Sequence, residues 1–335
     1  SQGQQECGRV GPTGGRRSTT LLSAGEGALP RRLTDPVTTV GMAIASQLWY
    51  ENCRPSGVKV HAGTPLLQQG LEEHHFKQMG EAGVTLIGEV GLGTVKDGKT
   101  ANEMVGWARK YGMQSTIHTG GPSIPGSGLI DADMVLETGT DVVGHINGGH
   151  TALPDDQIIC ICEGCQAALE IVHNGNERAA LLTLNTAREL GKLDQLILGT
   201  DGPAGSGVQP LGIMRMVALL SSLGDIPAEI AFCFANGNTA RQRKLDTGLI
   251  EAGKAADFVI MDQAQHAPGK NLLESVQQGN LPGVGMMVID GIVRSQRSRN
   301  TPCLFYTSDA ADDLLWGDPG GPPHIQTTRY LVEIR

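Results

Sequence analysis

Apolar runs of strand length recur along this chain, separated by longer amphipathic stretches. The runs are TTLLSAG (19–25), GVKVHAG (57–63), GVTLIGEVG (83–91), QSTIHTGG (114–121), DVVGHINGG (141–149), AALEIVHNG (167–175) and QLILGTDGPAGSG (195–207). Between them, stretches such as ANEMVGWARKYG (101–112) and ERAALLTLNTARELGKL (177–193) carry apolar residues at helical spacing and close on Gly or Lys signals. Strand–helix alternation of this kind predicts a parallel sheet covered by helices. From about residue 245 the rhythm changes. DTGLIEAGKAADFVIMD (246–262) and VGMMVIDGIVRSQRS (284–298) read as antiparallel strands, with turns at Glu-Ala-Gly-Lys and Asp-Gly.

The polar positions inside the apolar runs decide the architecture. His61, Glu89, His118, His145, His173 and Asp201 all stand near the C-terminal ends of their runs. In a (β/α)8 barrel the strand ends converge there and build the active site. The expected fold is therefore α/β: a TIM-type barrel lacking its first strand, with part of a small β-sandwich appended. Residues 1–18 and 303–335 carry neither period and read as a non-native-looking leader and tail. The expected organisation is thus leader 1–18, incomplete barrel 19–244, β-sandwich remnant 245–302 and tail 303–335.

Composition narrows the class. The chain has 335 residues, 39% of them hydrophobic and only 4% aromatic, with 47 Gly and a formal net charge of −9. A nucleic-acid binder would show a basic stripe instead. No apolar run is long enough for a membrane span, and no apolar leader marks a signal peptide. Seven Cys, an odd number in a long chain, fit reduced thiols and a cytoplasmic location. Cys160, Cys162 and Cys165 lack a second cluster to close a thiolate site and are expected as small buried residues of a helix.

Glu89 is the sharpest chemical signal, a lone carboxylate between Gly88 and a Gly-Leu-Gly turn. It can bridge metal ions, or cap a helix or pair with a cation. His118 and His145, on successive strand ends, offer neutral imidazoles to a shared ion. His61 is either a substrate contact or an inward filler, and Lys59 faces the same side one layer down, where a carbamylated bridge is conceivable. Asn147 orients substrate or caps a turn. His173 is a candidate substrate contact whose role the sequence leaves open. The loop PAGSGVQP, through Gly205 and Ser206, offers backbone N–H groups to a substrate carboxylate. His74, His75 and His150 are read as solvated or loop residues.

GLIEAGKAADFVIMD followed by VIDGIVR resembles the closing segment of the amidohydrolase superfamily, in which a β-sandwich packs beside a metal-dependent barrel. Over about residues 19–302 the chain is similar to the enamidase branch, through SGVKVHAG, IGEVGLGT, IHTGGPSIPGS, HINGG, LGTDGPAGSGVQPLGI and RSRNTP. The resemblance implies hydrolysis of a carboxylated cyclic enamide, 6-oxo-tetrahydronicotinate, in nicotinate degradation. It implies two divalent metals, zinc or zinc plus iron, and a homotetramer. Glu89, His118, His145 and Asp201 would be metal ligands, with an activated hydroxide attacking the ring carbonyl. Asp201 would be the catalytic residue, passing a proton from water to the leaving nitrogen.

The chain departs from the family pattern at one point. Members carry a His-x-His pair on the first strand, and no His-x-His occurs here. One metal held by Glu89, His118 and His145, and weak activity or none, are therefore expected of this chain. The alternatives are a dihydroorotase-like or hydantoinase-like cyclic amidohydrolase, or a non-catalytic barrel.

Overall fold

Helix starts in this chain are set by short polar side chains. Asp97, Asp131 and Asn176 each accept a hydrogen bond from the main-chain N–H three residues on, opening the helices Gly98–Lys110, Ala132–Thr138 and Glu177–Glu189. The computed structural model describes residues 19–22, 35–123, 127–149, 151–202 and 210–295. The elements in order are β1 (Thr20–Leu22), α1 (Pro36–Asn52), β2 (Lys59–His61), α2 (Glu73–Glu81), β3 (Leu86–Val90), α3 (Gly98–Lys110) and β4 (Gln114–Ile117). There follow α4 (Ala132–Thr138), β5 (Val142–Val143), α5 (Asp155–Gly164), β6 (Ala168–Val172), α6 (Glu177–Glu189), β7 (Leu196–Gly199) and α7 (Gly212–Leu223). The chain continues through α8 (Ala228–Ala235), α9 (Gly237–Gln242), β8 (Phe258–Asp262), α10 (Leu272–Gln277), β9 (Gly283–Ile289) and β10 (Ile292–Ser295).

Each of the seven apolar runs holds a strand. β3 to β7 pair in sequence order as one parallel sheet, and β1 pairs with β2 in a second. Among the described residues no strand ladder joins β2 to β3, so the barrel wall is open. The loop after β2 still meets β3, where Gly88 N–H donates to the Pro65 carbonyl at 3.1 Å. The expected β unit is present as a three-stranded antiparallel sheet, β10-β9-β8, with Asp290 and Gly291 in the tight turn.

Alternation along the strands separates two faces. Ile117, Val143, Leu169, Ile171 and Leu198 pack outward against helix residues such as Val105, Val135, Ile158, Leu184 and Val217 in the main core. Val142, Ala168 and Ile197 form a separate inner cluster. A TIM barrel fills its interior with such layers, alternate strands contributing to each. Above that apolar layer the inward positions turn polar, and the site is built there.

Three minor expectations are corrected. Cys162 and Cys165 are buried, but Cys160 is exposed. Burial pushes the Cys162 thiol up to about 12, which disfavours its thiolate form. His75 is buried, not solvated; its Nδ1 accepts the Glu72 N–H at 3.0 Å and closes the start of α2. Lys59 is no carbamate bridge. Its amine meets Asp257 at 2.6 Å and Asp290 at 3.0 Å, tying β2 to the β8–β10 sheet.

Asp257 is almost fully enclosed in that contact, with a side chain 1% exposed. Removing its cation strands a buried carboxylate. Lys59→Met is expected to destabilise the chain by about 2 kcal/mol, less than a fully buried pair because the lysine is partly solvated. Urea unfolding checks this, and an unchanged midpoint would show that the contact carries no stability.

Candidate metal centre

Parallel strands deliver their C-terminal ends to one rim. Glu89 lies in β3, His118 follows β4 directly, and His145 follows β5 two residues on. Local sequence makes the convergence possible. Gly88 has φ +128, and a Cβ there would sit 2.5 Å from the Thr116 carbonyl of β4. Only glycine lets β3 lie this close to its neighbour. β5 is two residues long because Gly144 and His145 leave the ladder, His145 with φ +30. The Thr119 hydroxyl holds that turn by donating to the main-chain carbonyl of His145 at 2.8 Å.

Three donor atoms then face one another. His118 Nδ1 and His145 Nε2 are 3.0 Å apart, and Glu89 Oε2 lies 3.6 Å from the first and 3.7 Å from the second. All three residues are buried, at 4–5% exposure. The hydrogen-bond pattern assigns the tautomers. His118 Nε2 lies 2.9 Å from the Gly121 carbonyl, which only accepts, so Nε2 carries the hydrogen and Nδ1 turns its lone pair inward. His145 Nδ1 faces the Thr119 oxygen at 3.5 Å, so Nε2 is its inward atom. Two lone pairs and a carboxylate oxygen thus meet in a dry pocket, an arrangement that requires a cation between them.

A proton or a metal can supply that charge. Burial alone would raise the Glu89 carboxyl, but hydrogen bonds and charge from His118 and His145 outweigh it and hold the carboxyl well below the usual range. Burial alone would lower the His145 imidazole. Glu89 outweighs it, with help from Asp201 and Glu170, and raises His145 above the ordinary imidazole value. A tetrahedral ion with bonds of about 2.0–2.1 Å spaces its ligands about 3.3 Å apart. The observed separations of 3.0–3.7 Å bracket that spacing, so the residues fit a divalent metal.

Asp201 stands beside the triad rather than in it. It has φ +49, its carbonyl accepts from Asn174 Nδ2 at 3.0 Å, and its charge reaches His145. His173, at the end of β6, contacts the Asn174 carboxamide at 3.2 Å and faces Gly212 at the start of α7. Asn147 ties the loop after β5 to β6 through its carboxamide. Its carboxamide is consumed by the main chain of Val172 at 2.9 and 3.0 Å and of Asn176 at 3.4 Å. His61 is half-buried on β2, its imidazole pushed down by burial, with Asp246 and Lys59 as charged neighbours. Gly205, Ser206 and His150 lie outside the described residues. Sequence reasoning missed Thr119 and Glu170. A charge inside the otherwise apolar run AALEIV was the available signal for Glu170.

Comparison with known proteins gives concordant results. The sequence model of the amidohydrolase family matches residues 76–293. An enamidase of Eubacterium barkeri is 43% identical over 284 residues, covering 85% of this chain and 74% of that protein. The crystal structure of an enamidase superposes with a TM-score of 0.81 at 42% identity, over 85% of this chain and 74% of that one. A β-aspartyl dipeptidase from Fervidobacterium islandicum AW-1 shares the fold, with a TM-score of 0.55 at 14% identity over 86% and 77% of the two chains.

With His145 raised, the metal-free chain holds a proton in the pocket near neutral pH, and a cation must displace it. Zinc binding is therefore expected to release about one proton per ion and to weaken as pH falls. Calorimetry in buffers of differing ionisation heat counts that proton. Binding without proton release would contradict the assigned state.

Proposed function

Since the chain belongs to the amidohydrolase family, we propose that it hydrolyses the ring C–N bond of a cyclic amide of the enamide type. The carrying observation is the convergence of Glu89, His118 and His145 donor atoms within 4.8 Å of one another in a buried pocket. These three residues would hold one divalent cation, zinc in our reading, with iron as the second candidate. Such a cation acidifies a water and polarises a carbonyl.

The chain's own residues do the rest. Asp201, beside His145, takes a proton from the attacking water and returns it to the ring nitrogen. The water oxygen bonds to the carbonyl carbon and the C–N bond opens. The pocket walls exclude bulk water, and His118 and His145 keep the Glu89 carboxylate ionised against that burial. His173 and the segment containing Gly205 and Ser206 are our candidates for contacting a carboxylated ring, with His61 on the outer side. Asn147 is left out of this set, because its carboxamide is taken by main chain.

The similarity to an enamidase supports the enamide class over hydantoin or dihydroorotate rings. The same likeness leads us to assign the reaction to nicotinate breakdown, in the cytoplasm, by a homo-oligomer. No helix among the described residues is long and apolar enough to cross a membrane. Among the described residues one group of three metal-capable side chains exists, and the sequence has no His-x-His pair. One tightly held ion and a slow turnover follow.

A panel of cyclic enamides, lactams, hydantoins and dihydroorotate tests the assignment. The expected result is slow ring opening of the enamides, abolished by a chelator and restored by zinc. Asp201→Asn is expected to keep the ion yet lower the rate by about a hundredfold or more. Preference for hydantoins, or no opening of any ring by a metal-loaded chain, would overturn the proposal.

A further inference from the structure

Beneath the three metal-facing residues the barrel interior holds a buried cation that the proposed chemistry does not use. Arg243, the residue after α9, is 8% exposed and reaches into the barrel from its lower end. Its Nη1 donates to the Thr116 hydroxyl at 2.8 Å, and its Nη2 lies 3.6 Å from Glu170 Oε2. The helix end is itself pinned there, since Gln114 Nε2 donates to the Gln242 carbonyl at 2.9 Å.

Thr116 lies on β4 two residues before His118, on the same face. Glu170 lies on β6, the other neighbour of β5. The guanidinium therefore joins the two strands that flank the one leading to His145. Room for this strut comes from missing side chains. A Cβ at Gly144 would come within 2.8 Å of Thr116 Cγ2, and one at Gly199 within 2.5 Å of Glu170 Oε1. Thr116 also touches the other ligand strand, as its carbonyl is what a Cβ at Gly88 would strike. One side chain thus bridges β4 and β6, the two strands on either side of β5.

We propose that Arg243 is a positioning residue for the metal centre, fixing the separation of the ligand-bearing strands through Thr116 and Glu170. This rests on reading Glu89, His118 and His145 as metal ligands. Groups that orient ligands from outside the coordination sphere are worth about tenfold to a hundredfold in metal affinity. A side chain that only plugs the barrel would change the melting temperature and leave the affinity alone.

The test is cobalt titration of the chelator-treated full chain, followed by visible absorption, with thermal melting in parallel. Arg243→Ala is expected to bind cobalt about tenfold or more weakly, with recovery when low concentrations of free guanidinium are added. Thr116→Val, which keeps the shape and removes the hydroxyl, is expected to shift affinity in the same direction and to decide the matter should Arg243→Ala not fold. Unchanged cobalt affinity in a folded variant, whatever its melting temperature, would overturn the role of Arg243 alone. Failure of the unaltered chain to bind cobalt would instead remove the metal centre, and this inference with it.

Discussion

Three electron-rich atoms pressed together in a pocket without water cannot stay as they are. His118 Nδ1, His145 Nε2 and Glu89 Oε2 sit 3.0–3.7 Å apart, and without a proton or a metal ion their lone pairs would face one another. Their mutual repulsion, and the cost of a buried anion, are offset only by a positive charge at their centre. Much of the surrounding architecture serves to hold these atoms in that unfavourable proximity. The strands are parallel, so their ends meet. Gly88 lets β3 approach β4, and Thr119 ties down the left-handed turn at His145. The site is thereby prepared for a cation before one arrives.

The barrel interior mixes apolar and polar side chains. Val142, Ala168 and Ile197 make an apolar cluster, and Thr116 and Glu170, paired in the ladder with Val142 and Ile197, meet Arg243 beside it. The metal-facing triad lies at the strand ends, with Asp201 beside it. Glu170 and Asp201 both act on His145 by charge, which favours a positive charge in the pocket. Asp201 lies close enough for its charge to act on His145, outside the group of three donor atoms.

Much of this was legible in the residues, and the unread parts share one cause. The strands were visible because a sheet covered by helices needs apolar runs, and each run does hold one. Their lengths were not, because Gly and polar residues at the ends of QSTIHTGG and DVVGHINGG leave the ladder to form the site; β4 stops at Ile117 and β5 at Val143. Glu89, His118, His145 and Asp201 stood out as polar groups ending apolar runs. What sequence patterns could not supply were pairings between distant residues. Lys59 finds Asp257 across 198 positions, and Arg243 finds Thr116 across 127. Asn147 spends its carboxamide on Val172, 25 positions away, where a local reading leaves it between capping a turn and meeting substrate. His75 looked solvated beside His74 because the cap it makes for α2 depends on how the chain enters the helix.

The central claim is that a cation belongs among these three side chains. Anomalous diffraction on crystals of the zinc-loaded chain, recorded on both sides of the zinc edge, addresses it directly. The account predicts a peak about 2.0–2.2 Å from Glu89 Oε2, His118 Nδ1 and His145 Nε2. An ordered triad with no peak, and zinc only on surface histidines such as His74, would contradict it.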